Sequence, residues 1–171
     1  MLEFTALDAH GRVLPRVQVD TVYGSDRGSL VAAYGYAIDI LRFSGQGEHQ
    51  VTDVRVAVRS VTTARIRSGL HYASAQAQDS TGKNVSKFSR FSSITVTNLD
   101  DFPVSVRIVY LVYDQPAKGQ TQQATTVVPI GGLLLIPAHG KAMVPVTGPA
   151  SDAVARYSDG PAVSIKTYNS Q

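Results

Sequence analysis

The sequence predicts an all-β protein, a two-sheet antiparallel sandwich with at most one helix. Three observations carry this. Val, Thr, Ser and Tyr are abundant while acidic helix formers are scarce, Glu3 and Glu48 being the sole glutamates, a composition that favours strands over helices. Short strand-like runs are separated by Gly, Pro, Asn and Asp at the spacing of a sandwich or barrel. From Thr52 to Val61, Val54, Val56 and Val58 alternate with Arg55, Ala57 and Arg59, the period of two that marks a half-buried strand.

Taken in order, Leu2 to Ala6 reads as a first strand closed by Asp8-Ala9-His10-Gly11, and Val13 to Val22 as a second, with Pro15 placing it near a sheet edge. Gly24 to Gly28 reads as a loop. Ser29 to Phe43 fits both a helical stripe (Leu30, Tyr34, Ala37, Ile38, Leu41) and a strand alternation (Tyr34, Tyr36, Ile38, Ile40), so it is the place for the one helix. After the Thr52–Val61 strand, with its valines expected inside and its arginines outside, weaker alternation runs from Ala64 to Gln78. A turn follows at Asp79 to Asn84, then a strand-like run from Val85 to Thr97. A corner at Asn98 to Pro103 leads to the strongly β run Val104 to Tyr113. Gln115 to Gln123 reads as an exposed loop. Thr125 to Ile136 is divided by Gly131-Gly132, and His139-Gly140 is placed to pair Leu133–Ile136 with Met143–Val146 as a hairpin. Ala162 to Tyr168 supplies a last strand. No internal repeat is seen, and residues 1–171 read as a single β-sandwich domain of ordinary size.

The 16 Lys and Arg against 13 Asp and Glu give a net charge of +3. They are spread from Arg12 to Lys166, so no specific nucleic-acid partner is expected. The apolar stretch Leu30 to Leu41 is too short for a bilayer and holds Gly35 and Asp39, which argues against a membrane span. The amino terminus lacks the basic start and apolar run of a secretory signal. With no cysteine, disulfides, thiolate metal sites and cysteine nucleophiles are all excluded.

Chemistry is sparse. His10, His49, His71 and His139 are far apart, none in a spacing that presents two ligands from one element, so they read as turn and surface residues and no metal site or cofactor is expected. Gly24-Ser25-Asp26-Arg27-Gly28 is not a nucleophile elbow. Glycosidase chemistry would draw on Asp39, Asp53, Asp114 or the Asp100-Asp101 pair, and that pair reads as turn residues bonding their own backbone. No phosphate-loop motif occurs. No catalytic residue is therefore assigned. The candidate partner-binding residues are Arg55 and Arg59, on one face of a strand, with Arg65 and Arg67, on one face of the next segment. Guanidinium groups gathered there suit an acidic partner or a neighbouring subunit. Tyr23, Tyr34, Tyr36, Tyr72, Tyr110 and Tyr113 offer stacking platforms for carbohydrate, although Tyr110 and Tyr113 fall on opposite faces of one strand.

Ile94-Thr95-Val96-Thr97-Asn98, the corner ending in Pro103-Val104-Ser105-Val106, and Ile136-Pro137-Ala138-His139-Gly140-Lys141 before Val144-Pro145-Val146 resemble an immunoglobulin-like β-sandwich module of bacterial surface and phage virion proteins. The likeness covers about a third of the chain, and a jelly roll reads much the same way. The resemblance implies adhesion, decoration or scaffolding. The expected function is thus a non-enzymatic structural or assembly protein. The specific expectation is a bacteriophage virion component such as a capsid decoration, vertex or spike protein, assembled in the host cytoplasm and self-associating or docked on a larger protein assembly. A carbohydrate- or surface-binding adhesin is the alternative, and an enzyme with a site assembled from scattered Asp and His the second. The loops Gly45 to Gln50 and Gln115 to Gln123 are expected at contacts with other chains.

Overall fold

A computed structural model describes residues 1–22, 39–62, 71–119, 122, 124–160 and 162–170. Among them are ten strands and one α-helix, and every strand pairing is antiparallel. The fold is all-β. Contacts gather into two compact units, Met1–Ile66 and Arg67–Gln171, within the span that the sequence analysis reads as one domain.

The second unit is the sandwich. One sheet has the order β5 (Ser74–Gln78), β6 (Ser93–Thr97), β9 (Lys141–Pro145); the other has β10 (Val163–Ser170), β7 (Val104–Tyr113), β8 (Ala124–Ile136). Alternation sends Ile94 and Val96 of β6 and Val106, Ile108 and Tyr110 of β7 into one core with Ile130, Ile136 and Val144. Phe91 meets the Tyr110 ring edge to face at 5.9 Å between centroids, and burial raises the Tyr110 phenol above its ordinary pKa. Val109 and Leu111, on the other face of β7, are buried as well, which is why this strand reads as a continuous apolar run. Gly131-Gly132 does not divide β8. It forms a bulge opposite Arg107, where the register passes from Val106↔Leu134 to Ile108↔Ile130. Gly131 has φ 65°, and a Cβ there would lie 2.8 Å from Val144 Cγ1, so the bulge requires glycine.

Two expectations meet the structure here. Of the segment Ser29 to Phe43, read as the place for the one helix, residues 29–38 lie outside the described residues and Leu41–Gly45 is strand; the described helix is the nine-residue α1, Pro149–Tyr157. Its stripe Ala150, Ala153, Val154, Tyr157 packs on the core, and Pro149 opens it at the first helical position. Second, the reversal at Pro137 to Gly140 forms, with Gly140 N–H donating to Pro137 O and His139 at φ 52°. It does not join β8 to β9 as a hairpin: β8 pairs with β7 and β9 with β6, so the reversal carries the chain from one sheet to the other.

The first unit is built from ribbons. β1 (Leu2–Leu7) pairs with β4 (Asp53–Val58), and β2 (Val17–Thr21) with β3 (Leu41–Gly45). Val17, Val19, Leu41 and Phe43 are half-buried on one face of the second ribbon. Among the described residues of this unit, Ala6 and Leu7 alone are fully buried apolar side chains. The Gly45 to Gln50 loop closes on its own unit, with Gln50 N–H donating to Gly47 O and Arg16 to Gln46 Oε1.

The first strand of each unit runs into the same kind of loop. In Ala6-Leu7-Asp8-Ala9-His10-Gly11-Arg12-Val13-Leu14 the Asp8 carboxylate accepts from the N–H groups of His10 (2.8 Å) and Arg12 (2.9 Å). In Ala77-Gln78-Asp79-Ser80-Thr81-Gly82-Lys83-Asn84-Val85 the Asp79 carboxylate accepts from Thr81 (2.9 Å) and Lys83 (3.1 Å). Gly11 and Gly82 donate back to Asp8 O and Asp79 O, and Leu14 and Val85 donate to Ala6 O and Ala77 O. The pattern Ala-x-Asp-x-x-Gly-basic is a turn in which aspartate replaces missing backbone acceptors and glycine takes the positive φ.

Candidate functional site

Of the four candidate arginines, Arg55 and Arg59 stand exposed on one face of the β1–β4 ribbon. Arg65 and Arg67 lie outside the described residues. Arg59 forms an ion pair with Glu3 across the ribbon, while Arg55 faces Thr5 in the register. Met1's N–H₃⁺ group donates to Ser60 O, and Arg59 N–H to Met1 O at 3.0 Å, closing that end.

The burial of β4 differs from the expectation. Arg55 and Arg59 are outside as foreseen, but Val56 and Val58 are outside too, 52% and 63% exposed, and Val54 is half-buried. The register shows why the valines were misjudged: Leu2↔Val58, Phe4↔Val56 and Ala6↔Val54 make one apolar face six residues wide. Ala6 is buried, Leu2, Phe4 and Val54 are half-buried, and Val56 and Val58 are exposed. Period two identifies the strand and its two faces, but says nothing about whether a second layer covers the apolar one.

A second constellation sits at one end of the sandwich, and the sequence analysis missed it. Two of the sheet-to-sheet crossings, Asn98 to Pro103 and Pro137 to Gly140, pass side by side there. Asn98 N–H donates to Gly140 O, and His139 N–H to Asp100 O. The buried Asn98 amide donates to Phe102 O (2.7 Å), Pro137 O (2.9 Å) and Ile136 O (3.3 Å), while its Oδ1 accepts from Asp100 N–H. Asp100, expected to bond its own turn, instead receives the His71 N–H on both carboxylate oxygens at 3.2 Å and holds the His71 Nδ1 at 2.6 Å. Its side chain is 1% exposed, that of His71 63%. Asn169 Nδ2 donates to His71 O, and the Thr167 hydroxyl to Ala73 O, so the chain entering β5 is fastened to β10. Asn98-Leu99-Asp100, an amide and a carboxylate around an exposed leucine, is the signal that marks this corner.

Chemically, the corner orients an imidazole: a buried carboxylate fixes one nitrogen and leaves the other to solvent. Among the described residues no cluster of three or more His, Asp or Glu forms a metal set, and no helix is long and apolar enough to cross a membrane. Tyr110, one of the carbohydrate platforms, is core. Comparison with protein-family models, with curated proteins and with solved structures finds no match to this chain.

Proposed function

We propose that this chain is a non-enzymatic structural protein that works by self-association or by docking on a larger protein assembly, as a bacteriophage virion component such as a capsid decoration, vertex or spike protein. The observation that supports it is the apolar face of the β1–β4 ribbon, on which Val56 and Val58 stand exposed opposite the half-buried Phe4 and Leu2. Apolar residues grouped on an open sheet face mark an interaction surface. The all-β architecture and the absence of a recognisable catalytic motif in the sequence agree with this reading, and assembly in the host cytoplasm suits a chain without cysteine. The test is sedimentation of the full chain over a wide concentration range with electron microscopy of the fast-moving fraction. Discrete multimers or regular lattices are expected, and a species that stays at 18.3 kDa throughout would overturn the proposal.

One observation favours a second reading, an enzyme with an assembled site: the solvent-facing His71 ring held by buried Asp100. It requires a His71-dependent rate on an activated ester such as p-nitrophenyl acetate, measured against His71→Ala. The structural reading expects equal rates from both proteins.

A further inference from the structure

Resting on the assembly reading, we infer that the edge of β4 left unpaired by the described strands is a two-fold contact that pairs with β4 of a second copy of this chain, antiparallel and centred on Val56.

The backbone sets which groups are available. Arg59 N–H donates to Met1 O, and Ala6 O, on the far side of β1, accepts from Leu14 N–H. In an antiparallel ladder the direction of backbone groups alternates. Residues 55, 57 and 59 therefore turn their N–H and C=O groups to β1, and Val54, Val56 and Val58 turn theirs to the other edge. Among the described residues no strand pairs with that edge, and one local bond occupies it, from Val54 N–H to the Asp53 carboxylate at 2.7 Å.

Charge and side-chain size then select the register. Centring the two-fold axis on Arg55 sets Arg55 against its own copy, and centring it on Ala57 sets Arg55 against Arg59; like charges directly opposite are unfavourable. Centring on Val54 opposes Val56 with Thr52, and centring on Val58 opposes Val56 with Ser60. Centring on Val56 alone opposes Val54 with Val58, Val56 with Val56, and Asp53 with Arg59. The apolar face then runs unbroken through four strands, β1, β4 and their copies. On the opposite face Glu3, Arg59 and the second copy's Asp53 form a mixed-charge row. The chain is complementary to itself at this edge in shape, backbone hydrogen bonding and charge. A contact of one short strand is small and therefore weak alone, and it gains strength where an assembly repeats it.

Single cysteines test the register, because the native chain has none. In the Val56-centred pairing residue 56 faces its own copy, at about 5.5 Å between Cα atoms, within disulfide reach. Residue 58 lies roughly 14 Å from its copy, beyond the limit of about 7 Å. Under mild oxidation at a concentration where the protein associates, Val56→Cys should yield mostly covalent dimer and Val58→Cys about tenfold less or none. Val56→Pro should remove the two-fold species while leaving the β1 ladder and the thermal midpoint nearly unchanged, because that N–H points outward. Cross-linking of Val58→Cys equal to that of Val56→Cys overturns the register. A wild type that forms multimers while Val56→Cys stays uncross-linked and Val56→Pro still associates places assembly on another surface, which ends this proposal and leaves the assembly reading standing. A wild type that is monomeric at every concentration ends both.

Discussion

The loops at Asp8 and Asp79 match in their backbone hydrogen bonds, yet the strands that lead into them lie in different surroundings. β5 joins a three-stranded sheet whose inner face meets a second sheet, and its Ala77 is buried in the shared core. β1 joins a two-stranded ribbon whose apolar face is covered at Ala6 and open at Val56 and Val58. Local chemistry therefore makes the turn, and the number of layers decides what the turn supports. A two-stranded ribbon is marginal in water by itself, so the first unit is where external contacts add most.

The contrast predicts unequal responses to mutation. The largest loss belongs to Asn98→Ala, which strips partners from three carbonyls and the Asp100 N–H at the point where two sheet crossings meet. We expect about 3–5 kcal/mol from urea denaturation. Ile130→Ala, fully buried between the sheets, should cost about 2–5 kcal/mol. Asp100→Ala removes the acceptor of the His71 N–H and should cost about 1–3 kcal/mol, whereas His71→Ala, which keeps the backbone bonds, should cost less. In the open ribbon Val58→Thr should change stability by under about 0.5 kcal/mol while weakening association.

The smallest expected effect concerns acid. Asp79 titrates below its ordinary value of 3.8, held there first by the Thr81 hydroxyl, then by the N–H groups of Thr81 and Lys83. Asp8 is lowered in the same sense, first by the Arg12 N–H. Because the folded value lies below the unfolded one, the stability each supplies is complete above pH 3.8 and is lost as pH falls through the folded value. Asp79→Asn keeps an acceptor oxygen and removes the titration, so its acid-unfolding curve should be shallower below that pH than that of the wild type.

Much of the β architecture was legible because it rests on local patterns. Val104 to Tyr113 coincides with β7, and the Asp79 to Asn84 turn and the Asn98 to Pro103 corner fall where the turn residues stand. What was not legible depends on distant partners. Asp100 reads as a turn aspartate until His71 is brought to it from the segment that leads into β5. Val56 and Val58 read as core until the ribbon shows both side chains exposed. The helix at Pro149 hides because alanines form its stripe, which hydrophobic periodicity weights lightly. The repeated loop escaped because its identity rests on Asp, Gly and one basic residue, with the apolar positions varied. Arg55 and Arg59 were located correctly as exposed, but the apolar surface on the other side of the same strand was read as interior.

Amide hydrogen exchange, residue by residue, at low and high protein concentration tests the division of labour most directly. The account predicts that the outward N–H groups of Val56 and Val58 gain protection as concentration rises, while those of β6 and β7 stay equally protected at both. Unchanged exchange along β4 in a sample that has demonstrably associated, with new protection appearing on the sandwich instead, would contradict it.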